Sequence, residues 1–181
     1  MNRTHLIQLL HSYQTSFKEE QVFTPEFIEL LKSPDAFQRT HLPGHITGSV
    51  WILNTTQDKA LLVHHAKLNK WVQPGGHADG DENILNVAVR EAEEETGLTN
   101  FKVNEGLFDI DIYLIPERKD FPGHDHYDIR FLLIADEKQP ILVSDESHDV
   151  KWISLSEIEK FTNERSVLRM VEKVLLKASK S

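Results

Sequence analysis

The sequence contains no cysteine. That absence removes disulfide scaffolds, thiolate zinc centres, iron–sulfur clusters and cysteine nucleophiles together. No apolar run approaches the length of a membrane span. The opening MNRTHLIQLLHSYQ has neither the basic end nor the unbroken apolar block of a secretory leader, so a cytoplasmic protein is expected. Basic residues are also scarce, with 20 Lys and Arg against 29 Asp and Glu for a net charge of −9. That balance disfavours a protein that coats nucleic acid, where phosphates reward clustered cations, and a polybasic membrane-surface binder. There are no internal repeats and no low-complexity tract. At 181 residues the chain suits one domain with its own core.

The negative charge is concentrated. Residues 75–97 read GGHADGDENILNVAVREAEEETG, with seven acids and one base, for a net of −6. The other 158 residues share −3. Within this segment Ile84, Leu85, Ala88, Val89 and Ala92 recur at helical intervals, Asn83 suits an N-cap and Gly97 suits the C-terminal cap. At about 100° per residue, Glu91, Glu94 and Glu95 fall within one arc of roughly 100°, beside the apolar face. Such a helix is locally unfavourable. Like charges three and four apart cost about 0.2–0.5 kcal/mol per pair, and the last turns of a helix prefer cations. Two broken local rules at one place mark a functional site. A bound hard divalent cation removes both objections, and three carboxylates without sulfur or imidazole on that arc suit Mg²⁺ or Mn²⁺. Taken alone, EAEEE is more often a solvated acidic face.

From Gly76 the spacing runs through five residues to Glu82 and seven more to Arg90-Glu91-Ala92-Glu93-Glu94-Glu95-Thr96-Gly97-Leu98. This resembles the Nudix box, G-x5-E-x7-R-E-U-x-E-E-x-G-U with U apolar, at all nine defined positions over 23 residues. Trp71-Val72-Gln73-Pro74-Gly75-Gly76 resembles the strand and turn that precede the box. HHAKLNKWVQPGGH and HDHYDIRF are similar to a bacterial group of Nudix proteins of poorly defined substrate. The resemblance covers residues 45–161.

The resemblance implies an α/β fold, a Nudix-type α/β/α sandwich with a mixed β-sheet. It implies hydrolysis of a phosphoanhydride bond in a nucleoside diphosphate linked to another moiety. Carried over by position, Glu91, Glu94 and Glu95 bind or water-bridge the metal, with the Gly76 carbonyl as a further ligand. Glu82 braces the loop or reaches the metal through water, and Arg90 holds the glutamates. Glu94 or Glu91 is the favoured general base, with Glu146 and Asp145 as downstream alternatives. The rival from another class is a catalytically silent Nudix-fold nucleotide sensor or scaffold.

The remaining chain reads as strands at residues 46–53 and 60–65 joined by a polar turn, then at 101–115, 127–135 and 149–153. The loop 116–125 is a pocket rim. A short helix starts at Ser154 or Ser156, and a final one carries Val167, Leu168, Val171, Val174 and Leu175. Residues 1–42 form an N-terminal helical extension, with Pro25 marking a helix start, packed on the sandwich or across a homodimer. Residues 43–181 form the hydrolase domain. His124 and His126 share one face of a strand with Asp128 and Arg130. His77, His126, Asp128 and Arg130 are the expected substrate contacts, Arg130 to phosphate. Two histidines with no third ligand are a weak zinc signal. His64, His65, Lys67 and Lys70 either meet phosphate or end a solvated hairpin.

Overall fold

The computed structural model describes residues 1–119 and 121–179. Its organising element is strand β1 (Gly44–Asn54), buried at all eleven positions. A strand buried on both faces must have layers on both sides. β1 pairs antiparallel with β2 (Lys59–His65) and, at Thr47–His77, with β4 (Gly75–His77). It runs parallel to β6 (His124–Ala135) along its whole length, from Gly44–Asp125 to Asn54–Ala135. β5 (Lys102–Ile115) pairs antiparallel with β6, while β3 (Lys70–Val72) and β7 (Ser147–Ser154) both pair with β2. The main sheet order is β3-β2-β1-β6-β5. One parallel pair within an otherwise antiparallel arrangement makes the sheet mixed, as expected.

One face of the sheet carries Ile46, Val50, Ile52, Ile129, Phe131 and Leu133, all 0% exposed. Helix α3 (Ile84–Thr96) packs on it through Ile84, Val87, Ala88 and Ala92. The alternate residues of β1, Trp51 and Leu53, face the second layer. There the 3₁₀ helix Leu155–Lys160 and helix α4 (Arg165–Ala178) contribute Leu155, Ile158, Val167, Met170, Val171 and Val174. Of the stripe expected on the final helix, Val167, Val171 and Val174 are core, Leu168 packs against it, and Leu175 is exposed.

The same second face is polar toward the other end of β1. Arg130, 1% exposed, bonds Asp128 at 2.7 Å, Asp109 at 3.0 Å and Asp111 at 3.2 Å. Arg169 of α4 adds bonds to both oxygens of Asp109, at 2.7 and 2.9 Å. Lys173 reaches Asp109 and Glu20, which is 0% exposed. This network ties the helix Lys18–Leu30, strands β5 and β6, and α4 into one unit. Burial alone would raise the Asp109 carboxyl, but Arg169, Arg130 and Lys173 hold it below its ordinary range.

The N-terminal helices α1 (Arg3–Ser12) and α2 (Lys18–Leu30) join the first core through Leu6, Leu10, Phe27 and Leu31. The expectation that Pro25 begins a helix is corrected, because it lies inside α2. An interior proline costs about 3 kcal/mol. Burying Phe27 and Leu31 beyond it returns about 1.5–3 kcal/mol each. Glu19 and Glu20 occupy the first turn, where acids suit the helix dipole, so the start lies at Lys18. The other strand readings are met within three residues, β6 starting earliest against expectation, at His124. The expected loop 116–125 thereby shortens, and its Asp120 lies outside the described residues.

Candidate active site

The box segment begins as strand β4 against β1 and returns as helix α3. Between them the chain turns at Asp79 and Gly80, both with positive φ, and the Asn83 side chain accepts a bond from the Asn86 N–H at 3.3 Å to start the helix. Gly97 ends the helix at φ 72°, a left-handed position that favours glycine, and its N–H bonds the Glu93 carbonyl at 2.9 Å. Both capping expectations therefore hold.

Glu91 and Glu95 of α3 face β4. Any Cβ added at Gly76 would lie 2.4 Å from one Glu91 oxygen, so only glycine lets that carboxylate lie against the strand. Glu95 is 6% exposed and accepts the Gly75 N–H at 3.1 Å. Burial raises its carboxyl, the Gly75 bond opposes, and the charges of Glu91, Glu146 and Glu94 raise it further, to about 8. Glu94 is the exposed member, with 63% of its side chain open. Arg90 bonds Glu91 at 2.8 Å, lies 3.7 Å from Glu94 and reaches the His77 carbonyl at 3.4 Å. It thus links two of the glutamates to the strand. A buried carboxyl among three like charges is a donor set that a hard divalent cation fits.

Other expected residues fall elsewhere. The Glu82 carboxylate pairs with Arg3 at 2.8 Å, so it fastens α1 to the box loop instead of facing the glutamates. Arg130 and Asp128 do not suit the substrate contacts expected of them. All three Arg130 nitrogens are bonded to carboxylates. Asp128 accepts from Thr47, Ser49 and Arg130 at 2.9, 2.7 and 2.7 Å. A phosphate would have to displace these buried bonds. His126 is 9% exposed, leaving His77 as the one half-buried member of the expected substrate set. Lys70 pairs with Glu164 at 2.7 Å, and His64 stacks on Trp71 at 5.0 Å. Asp145 and Glu146 are exposed, and Glu146 lies near enough for its charge to act on both Glu95 and Arg39.

Arg39 is a residue sequence reasoning missed. It forms a two-pronged ion pair with Asp79 in the box loop, and its charge meets Glu91 and Glu146. It lies within the segment read as a helical extension, and no motif there marked it.

Residues 44–173 match the NUDIX domain family model. The chain is 29% identical over 136 residues to a probable DHNTP pyrophosphohydrolase of Lactococcus lactis subsp. cremoris, covering 74% of this chain and 80% of that protein. It is 30% identical over 101 residues to the phosphatase NudJ of Shigella boydii, where the match spans 54% of this chain and 60% of the relative. The crystal structure of a C. elegans Ap4A hydrolase binary complex superposes with a TM-score of 0.61 at 18% identity, over 75% of this chain and 98% of that one. The fold is thus shared with that enzyme. With the box complete and Glu91 and Glu95 against β4, the chain belongs to the Nudix family and is a hydrolase of phosphoanhydrides.

Proposed function

We propose that the chain cleaves a pyrophosphate bridge in a nucleoside diphosphate linked to another moiety, with Mg²⁺ or Mn²⁺ held by Glu91, Glu94, Glu95 and the Gly76 carbonyl. The observation that carries this reading is that the Glu91 and Glu95 carboxylates lie against the Gly75–Gly76 strand, with Glu94 exposed beside Arg90. A divalent ion bound there supplies charge shielding for the phosphate oxygens and a lowered pKa for water.

The chain's own groups do the rest. Arg90 fixes the Glu91 carboxylate in the orientation that Gly76 leaves open. Glu95, buried and anchored by the Gly75 N–H, holds its carboxylate in place at little entropic cost. Glu94, the exposed member, is the group we assign to accept the proton of the attacking water. Glu82 and Arg3 hold the loop on the far side of the site.

The test is a panel of nucleotide sugars, ADP-ribose, dinucleoside polyphosphates and nucleoside triphosphates, with DHNTP and Ap4A added because similar proteins carry those names. Metal-dependent release of two phosphate-bearing products, or of pyrophosphate, is the expected result. Tight nucleotide binding without cleavage across the panel would overturn the reading in favour of a nucleotide sensor.

A further inference from the structure

Strand alternation places a second cluster on the side of β4 opposite the glutamates. Gly76 turns toward α3, so its neighbour His77 turns toward the other face. Three adjacent strands then bring imidazoles together. His45 of β1 is directly paired with His126 of β6, and His77 of β4 is paired with Thr47, two residues along the same face from His45. One nitrogen from each of His45, His77 and His126 lies within 4.8 Å of the others. His124 joins from the same face of β6, its ring centred 5.0 Å from that of His45.

The hydrogen bonds at the back of the rings orient this cluster. His45 Nδ1 faces the His41 carbonyl at 3.4 Å, and His124 Nδ1 faces the Pro122 carbonyl at 2.9 Å. A carbonyl partner requires that nitrogen to carry the proton, so each ring turns an unprotonated Nε2 inward. His126 Nδ1 contacts the Tyr113 hydroxyl at 3.3 Å. The inward Nε2 of His45 is buried without a hydrogen-bond partner. An orphaned acceptor in a residue 1% exposed is costly and calls for a ligand. His124 Nε2 and His126 Nε2 are 3.3 Å apart.

We propose that His45, His77 and His126 form a second metal site, selective for a borderline ion of the Zn²⁺ class and separate from the glutamate site. Three neutral imidazoles with no carboxylate among them suit Zn²⁺, Co²⁺ or Ni²⁺ over Mg²⁺. Burial of His45 and His126 disfavours their charged forms. His77, half-buried, forms the entry and leaves a fourth position for water or an anionic oxygen. Because His77 adjoins Gly76, an ion here also pins the strand against which Glu91 and Glu95 rest.

The test uses the full chain, stripped with chelator and dialysed into metal-free buffer. Zn²⁺ binding is followed by competition with a chromophoric chelator, and Co²⁺ binding by its visible absorption. The expected result is one Zn²⁺ per chain that millimolar Mg²⁺ does not displace, with Co²⁺ bands of a four- or five-coordinate nitrogen site. His77→Asn, at a half-exposed position, and His126→Gln should each weaken Zn²⁺ by at least tenfold, while Glu94→Gln leaves it unchanged. Two results would overturn the proposal. One is no Zn²⁺ bound in competition. The other is Zn²⁺ lost in Glu94→Gln and kept in His77→Asn, which would place it on the glutamates. Neither depends on whether the chain hydrolyses pyrophosphates.

Discussion

Glu95 offers the sharpest perturbation, because the structure predicts that removing its charge stabilises the metal-free protein. The carboxyl is held near 8 in the fold against an ordinary 4.5. A value raised by folding means the native state keeps a proton that the unfolded chain releases. Its stabilising contribution is complete below 4.5 and is lost as pH rises toward 8. At 1.36 kcal/mol per pH unit, the loss between pH 4.5 and 7 is up to roughly 3 kcal/mol. Facing Glu95 are Glu91 and Glu94 of its own helix, Glu146 from the loop before β7, and the Gly75 N–H. Glutamine keeps an oxygen for that N–H and cannot ionise. Urea unfolding in EDTA should therefore show Glu95→Gln gaining on the wild type by about 2–4 kcal/mol between pH 5 and pH 8. Histidines titrate in both proteins and cancel in the difference. A stability difference that stays constant over this range, or one that moves against the variant, would refute the burial and charge crowding argued for the site.

Three further outcomes follow from the same geometry. Millimolar Mg²⁺ should raise the wild-type Tm, by about 2–4 °C for each kcal/mol of linkage, and raise that of Glu95→Gln less; an unchanged wild-type melt would contradict a cation at the glutamates. Arg169→Met strands Asp109 and Asp111 with Arg130 and Lys173, and chemical denaturation should show a loss of about 3–5 kcal/mol. Gly97→Ala must hold a Cβ at φ 72° and 2.7 Å from Leu142 Cγ, so it should cost about 1 kcal/mol or more by the same assay.

Much of the fold was legible because its signals are local. The helix at 84–96 announced itself by apolar spacing and by Asn83 and Gly97 at its ends, and each strand by an apolar β-rich run. The carboxylate site was legible for the same reason, since Glu91, Glu94 and Glu95 lie within two turns of one helix. What depended on pairing between distant strands was hidden. His45, His77 and His126 are separated in sequence and meet only because β1 lies between β4 and β6, so the chain showed two of the four clustered histidines, His124 and His126, as neighbours and gave no sign that His45 and His77 join them. Arg130 was read as a phosphate contact from its place on a strand near polar residues, but Asp109, Asp111 and Arg169 come from elements that spacing alone does not bring together. Pro25 misled because a local rule was outweighed by the burial of Phe27 and Leu31.

Phosphoanhydride cleavage by Glu91, Glu94 and Glu95 of α3 is tested most directly by turnover in matched variants. On the best substrate of the panel, with saturating Mg²⁺, kcat is measured for wild type, Glu94→Gln and Glu95→Gln, each first shown to be folded. The account predicts loss of at least about 10²-fold in both, the scale of general-base and metal-ligand contributions. Wild-type kcat in Glu95→Gln would contradict it.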